Sequence, residues 1–265
     1  MKVLYLVSCL ILTSSFAPGQ AAGGERKIED VPAFKLAFDN LPEESRRAYF
    51  EHKLRAEQFF RQKRIFESLD EIFHASEIFK QDPALWNLKG SCHVEFRSFK
   101  KAREAFQKAL ALQPNNTGIM FNIAEMDFVT KNWEEAEKQF EAFAKKVEDD
   151  TRGGELEAGA LELHRLAQFK RLLALLKLGR EEEAKAIADE YTEFDNTPMT
   201  YYSKAAIHYH NGEEEEANGW LRSALRVFGG LQPLSNWQDT LIEVGYVKSF
   251  YGGEAETQDI ELESE

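Results

Sequence analysis

Side chains of matched size recur at one fixed interval along this chain, and that interval constrains the fold more than any other feature. Small residues stand at Ala56, Gly90 and Ala124 and again at Ser68, Ala102 and Ala136, while bulky ones stand at Ile72, Phe106 and Phe140 and at Ile65, Phe99 and Trp133. Every step is 34 residues. After a break the pattern resumes with Leu172, Gly179, Ala184 and Ala188, then with Ala205, Gly212, Ala217, Leu221 and Ala224, the step from Ala184 to Ala217 being 33 residues. A period of this length marks a supersecondary unit that cannot cover its apolar face alone and stacks on copies of itself. Small residues facing each other on two helices let the backbones approach, and Phe106 or Phe140 fills the space beyond, so sizes alternate because helices interlock.

The clearest copy reads Trp86-Asn87-Leu88-Lys89-Gly90, then Phe99, Ala102, Phe106, Ala109 and Pro114. It resembles the tetratricopeptide repeat, a helix-turn-helix unit of this length. The resemblance implies an all-α fold, a right-handed superhelical solenoid of about five such repeats with a C-terminal capping helix. The frame places repeats at 49–82, 83–116, 117–150, 165–197 and 198–231, preceded by a leader and short helix over 23–48. Residues 151–164 break the period as an insertion, with a loop at Gly153-Gly154. Within 232–252, Leu241, Ile242, Val244 and Val247 follow a helical pattern and are expected to cap the stack, and the acidic tail 253–265 is expected to be disordered. The chain departs from the family pattern at Lys89 and Lys204, which take a usual Leu position, and at His93 and Asp127, which take a usual Tyr position.

Composition narrows the function. With 43% apolar and 30% charged residues the chain can build a core, and a formal charge of −13 repels phosphate backbones, so no nucleic-acid partner is expected. Lys2, the apolar run Val3 to Phe16 and the small residues Ala17, Gly19, Ala21 and Ala22 read as a cleavable signal peptide over 1–22. The chain is therefore expected to be exported to a periplasm or secreted, with a bacterial host favoured, and no integral membrane span is expected. Of two cysteines, Cys9 falls in that segment and Cys92 reads as packing, so no disulfide framework arises.

No catalytic constellation, metal-ligand spacing or phosphate-cradling loop is present, and no cofactor is expected. His208 and His210 are two apart and point to different faces of a helix; the runs Glu181 to Glu183 and Glu213 to Glu216 open helices, where carboxylates complement the positive helix end. In tetratricopeptide stacks the first helix of each unit lines a concave groove. Carried over, the family's groove positions give a mixed surface at Phe50, Lys53, Glu57 and Phe60 and at Ala84, Asn87, Ser91 and Val94. The later positions are more apolar: Phe121, Glu125 and Phe128, then Phe169 and Leu173, then Tyr202 and Tyr209. These seven are the candidate protein-binding residues, for a partner presenting an apolar or basic segment, with the alternative that the rings only pack between helices or lie under the terminal helix. The resulting expectation is a non-enzymatic scaffold or adaptor that binds a peptide or helix of another protein outside the cytoplasm. A helical enzyme using an unrecognised His and carboxylate pair, and a self-associating structural solenoid, are the other readings.

Overall fold

The computed structural model describes residues 32–151, 158–229 and 234–250. The described residues are all-helical, in the order α1 Ala33–Asp39, α2 Glu43–Arg61, α3 Ile65–Ile78, α4 Pro83–Glu95, α5 Phe99–Leu112, α6 Thr117–Val129, α7 Trp133–Thr151, α8 Ala158–Lys177, α9 Glu181–Asp189, α10 Pro198–His210, α11 Glu214–Phe228 and α12 Ser235–Glu243. The signal-peptide segment, the Gly153-Gly154 loop and the acidic tail lie outside the described residues.

Consecutive helices pair as hairpins, α2 with α3, α4 with α5, α6 with α7, α8 with α9 and α10 with α11, and each hairpin stacks on the next. The reversal inside each hairpin is built the same way five times. A residue in the left-handed region stands at Lys63, Arg97, Lys131, Gly179 and Gly212, with φ of 59°, 54°, 62°, 73° and 79°. Around each, two backbone bonds close a Schellman turn, as where Lys131 N–H donates to the Phe128 carbonyl at 2.9 Å and Asn132 N–H to the Asp127 carbonyl at 2.8 Å. Three first helices begin on a side-chain cap: Asp82 accepts from Ala84 N–H, Asn116 from Ile119 N–H and Thr197 from Met199 N–H. Pro83 and Pro198 follow two of these caps at the first helical position, where no backbone donor is needed.

The interlock is as tight as the size pattern implies. Ala56, Ala102, Phe106, Ala124, Ala136, Phe140, Ala184, Ala205 and Ala217 are wholly buried. A Cβ on Gly90 would stand 2.4 Å from the Phe106 ring, so α4 and α5 meet there only because Gly90 has no side chain. Ser68 replaces the usual alanine and spends its hydroxyl on the Ala56 carbonyl at 2.9 Å, which removes the cost of burying it. The apolar interior is serial, not central. One cluster joins α2, α3 and α4, a second joins α4, α5 and α6, and the largest runs from α6 to α12.

The left-handed turns make an asymmetric prediction. A side chain at such φ costs about 1–2 kcal/mol, and glycine gives back less than about 1 kcal/mol of that in unfolded-chain freedom. Lys131→Gly should therefore raise the denaturation midpoint and Gly212→Ala should lower it; equal effects of both, measured by urea titration, would show that these turns carry no strain.

Candidate functional site

The first helices α2, α4, α6, α8 and α10 present one face along the stack, and its two halves differ. At the N-terminal end its polar groups are spent on one another: Asp82 accepts from the Tyr49 hydroxyl at 2.6 Å and from Lys53 at 2.7 Å, and Asn122 donates to the Asn87 side chain at 3.0 Å. Phe50 stands beside them, 56% exposed. Toward the C-terminal end the face is apolar, and the chain's own helix α12 lies on it. Trp237, 2% exposed, packs its ring 5.3 Å from Phe169 and 5.8 Å from Tyr202, while Leu241 is wholly buried. Beyond α12, Tyr246 stacks on Tyr209 at 5.9 Å under the ammonium of Lys177, which sits 3.9 Å from the Tyr246 ring centre.

Of the seven candidate binding residues, Phe121, Glu125, Phe128, Phe169, Leu173 and Tyr202 are buried and Tyr209 is half-buried. The face they were assigned to is thus not open to solvent in this structure. Two causes operate. Phe121 and Phe128 turn toward α7, where both meet Phe140, at 5.7 and 6.0 Å. Phe169 and Tyr202 lie under α12 through Trp237. The helix assigned to the end of the stack is therefore a cover for its first-helix face, contacting α8 and α10.

A charge cluster sits where α12 crosses the face. Lys170 of α8, 4% exposed, has its ammonium 2.9 Å from Glu125 of α6 and 3.1 Å from Glu243 of α12, and 4.6 Å from the Phe128 ring centre. Burial alone would lower the lysine's pKa, but the two carboxylates hold it above its usual value. Burial pushes Glu125 up to about 7 against the pull of Lys170, and the Glu243 charge adds to the rise. Asp239 of α12 is raised by burial and then by Glu243. A small void remains beside Lys170, walled by Phe121, Leu166, Asn236 and Asp239. Of this cluster only Glu125 is marked by the repeat's groove positions; Lys170, Trp237 and Glu243 fall outside them. The available signal is the adjacent pair Lys170-Arg171 inside the otherwise mostly apolar run Leu166 to Leu176, since a charge on the buried face of such a helix needs a partner.

Residues 93–159 match the family model of the tetratricopeptide repeat. Solved structures of similar shape include YrrB, described as a TPR protein with an unusual peptide-binding site (17% identity, TM-score 0.51, covering 75% of this chain and 94% of that one). PilF of Pseudomonas aeruginosa is similar at 16% identity and TM-score 0.52, covering 76% and 85%. PilW, a widely conserved type IV pilus biogenesis factor, is similar at 15% identity and TM-score 0.54, covering 78% and 89%. The fold is that of the tetratricopeptide-repeat proteins. No curated protein matches the sequence.

Within that fold, three of the four departures from the repeat pattern have a local physical reason, and His93 has none in the structure. Lys89 and Lys204, in place of leucine, hold their ammonium groups over indoles, with Nζ 5.1 Å from the Trp86 ring centre and 4.4 Å from that of Trp220. Asp127 replaces tyrosine and gathers Arg103, Asn132 and Gln139 at 3.0, 3.2 and 2.9 Å. His208 and His210 pair separately, with Glu213 at 2.6 Å and Glu181 at 3.4 Å, and no three metal-ligating side chains converge among the described residues. Burial raises the Cys92 thiol to about 11, which keeps it protonated and unreactive. Among the described residues no helix is long and apolar enough to cross a membrane.

The raised pKa of Glu125 sets the sign of a pH effect. The folded chain holds that proton more tightly than the unfolded chain, so Glu125 makes stability fall as pH rises from the unfolded value near 4.5 toward about 7. Glu125→Gln removes this dependence. The melting temperature of the variant minus that of the wild type should increase across this window; a constant difference would show that Glu125 does not titrate there.

Proposed function

We propose that the chain is a non-enzymatic scaffold that acts outside the cytoplasm and holds a segment of another protein on its first-helix face. One observation supports this most: the face over α6, α8 and α10 already accommodates a helix, with an aromatic anchor at Trp237 and a matched charge at Lys170. Phe121, Glu125, Phe128, Phe169, Leu173, Tyr202 and Tyr209 form or underlie the apolar half of that face, and Phe50 extends it toward the N-terminus. Aromatic anchors dominate interfaces of this kind, and tetratricopeptide-repeat proteins bind other proteins or peptides. The net charge of −13 favours a partner whose flanks are basic, since long-range attraction raises the encounter rate.

Photo-cross-linking tests the face. A photoreactive phenylalanine analogue replacing Tyr209 or Phe50 should trap a partner in cells, and the same analogue replacing Phe194, 95% exposed in the loop before α10, should not. Trapping from Phe194 alone would reject the assignment.

Export rests on the pattern of residues 1–22. Protein recovered from the periplasm or medium should have a mass that places its first residue close to position 22. An intact Met1 in the cytoplasm would reject export.

A further inference from the structure

We propose that α12 is an exchangeable occupant of the face. A partner's helix displaces it by presenting the same three groups in order: an aromatic side chain, an aliphatic one four residues later, and a carboxylate two residues beyond that. The inference rests on the scaffold reading above and specifies the partner it would take.

The pattern is read from what the face holds. Trp237 occupies the slot between Phe169 and Tyr202, Leu241 is wholly buried, and Glu243 reaches the buried ammonium of Lys170. When α12 leaves, these rings lose their cover and Lys170 keeps only Glu125. An apolar helix without the carboxylate would seal the lysine in with one of its two counter-charges missing, which is costly in a dry site. A helix with the carboxylate but no aromatic residue would leave the slot between the rings empty. The three groups therefore act as a joint requirement, and the acid supplies the discrimination.

The occupant is also built to leave. Helix α12 has nine residues, fewer than the roughly 12–15 at which isolated helices become even marginal in water, so its helicity depends on the face. Its first turn has no side-chain cap, because Leu234 stands at the N-cap position and offers no acceptor to the free backbone N–H groups. Being tethered, α12 competes at an effective concentration in the millimolar range. A partner overcomes that advantage through length. Helix α12 packs on α8 and α10, so a longer helix can run on toward α4 and α2, where Phe50 is exposed.

The test uses the full chain and a fluorescent synthetic peptide of residues 234–250. With Trp237→Ala and Leu241→Ala weakening the internal helix, the peptide should bind at least tenfold more tightly than it binds the wild type. Glu243→Lys in the peptide should reduce that binding at least tenfold. Hydrogen exchange on the unmodified protein supplies a second readout: amides of α12 should exchange at least a hundredfold faster than those of the α8 core. Exchange of α12 only with global unfolding, or peptide binding indifferent to Glu243→Lys, would overturn the proposal. A stable dimer in sedimentation would also overturn it, by making a second copy the occupant. Failure here with cross-links still arising from Tyr209 and Phe50 would leave the scaffold reading standing; loss of those cross-links would remove that reading instead.

Discussion

A helical hairpin has two broad apolar faces and can bury only one of them against itself. Every larger feature of this chain follows from that shortage. The contact of Gly90 with the Phe106 ring fixes how closely two helices of a hairpin approach, and the left-handed residue between them fixes how sharply the chain reverses. Repeating both at a constant interval places all first helices on one side of the stack and all second helices on the other. Side chains of the first helices that take no part in the interlock are then left together on one face. The site is a by-product of the stacking geometry before any ligand is considered.

Helix α12 meets that leftover face with apolar contact and charge in different roles. Trp237 and Leu241 remove apolar surface from water, which is favourable wherever they land. Lys170 is another matter. Its ammonium is desolvated between α6, α8 and α12, and removing charges from water generally costs about as much as pairing returns. Its value lies in selection: a covering helix without an acid at this point would leave the cation short of a partner. The cluster therefore favours a covering helix that carries an acid, and apolar burial supplies the affinity.

The solenoid was legible in the sequence because its determinants are local and periodic. Ala102, Phe106, Ala136 and Phe140 carry the packing rule in their spacing. Gly179 and Gly212 announced their turns, whereas Lys63, Arg97 and Lys131 adopt the same backbone with side chains that give no hint of it; only their shared interval marks them. The groove positions were legible as positions but not as surface. The spacing of Leu241, Ile242, Val244 and Val247 shows an apolar helix face, and that pattern is identical whether the helix covers the end of the stack or its first-helix side. Choosing between them needs the distance from Trp237 to Phe169 and from Glu243 to Lys170, contacts across more than sixty residues of chain that no periodicity encodes. Lys89 and Lys204 look like defects in the repeat when a leucine position is read by polarity, whereas each ammonium finds an indole face to sit over.

The interior clusters add a mechanical consequence. The two N-terminal clusters each join neighbouring helices, as expected of a quasi-one-dimensional stack, whereas the third unites side chains from Phe121 in α6 to Val244 after α12. Helix α12 contacts α8 and α10, which also contact each other, so it adds a further layer to a core that their hairpins already share. In such an array the stiffness of the C-terminal half depends on whether the face is covered. Under the proposed exchange, cover by α12 couples the hairpins around α8 and α10, and cover by a longer partner helix would also tie in the hairpins of α2 and α4, whose Asp82 and Asn87 are bonded to Lys53 and to Asn122 of α6. Asp82 already holds the Tyr49 hydroxyl and the Lys53 ammonium, so under that proposal an extended helix would reach Phe50 without breaking this ion pair.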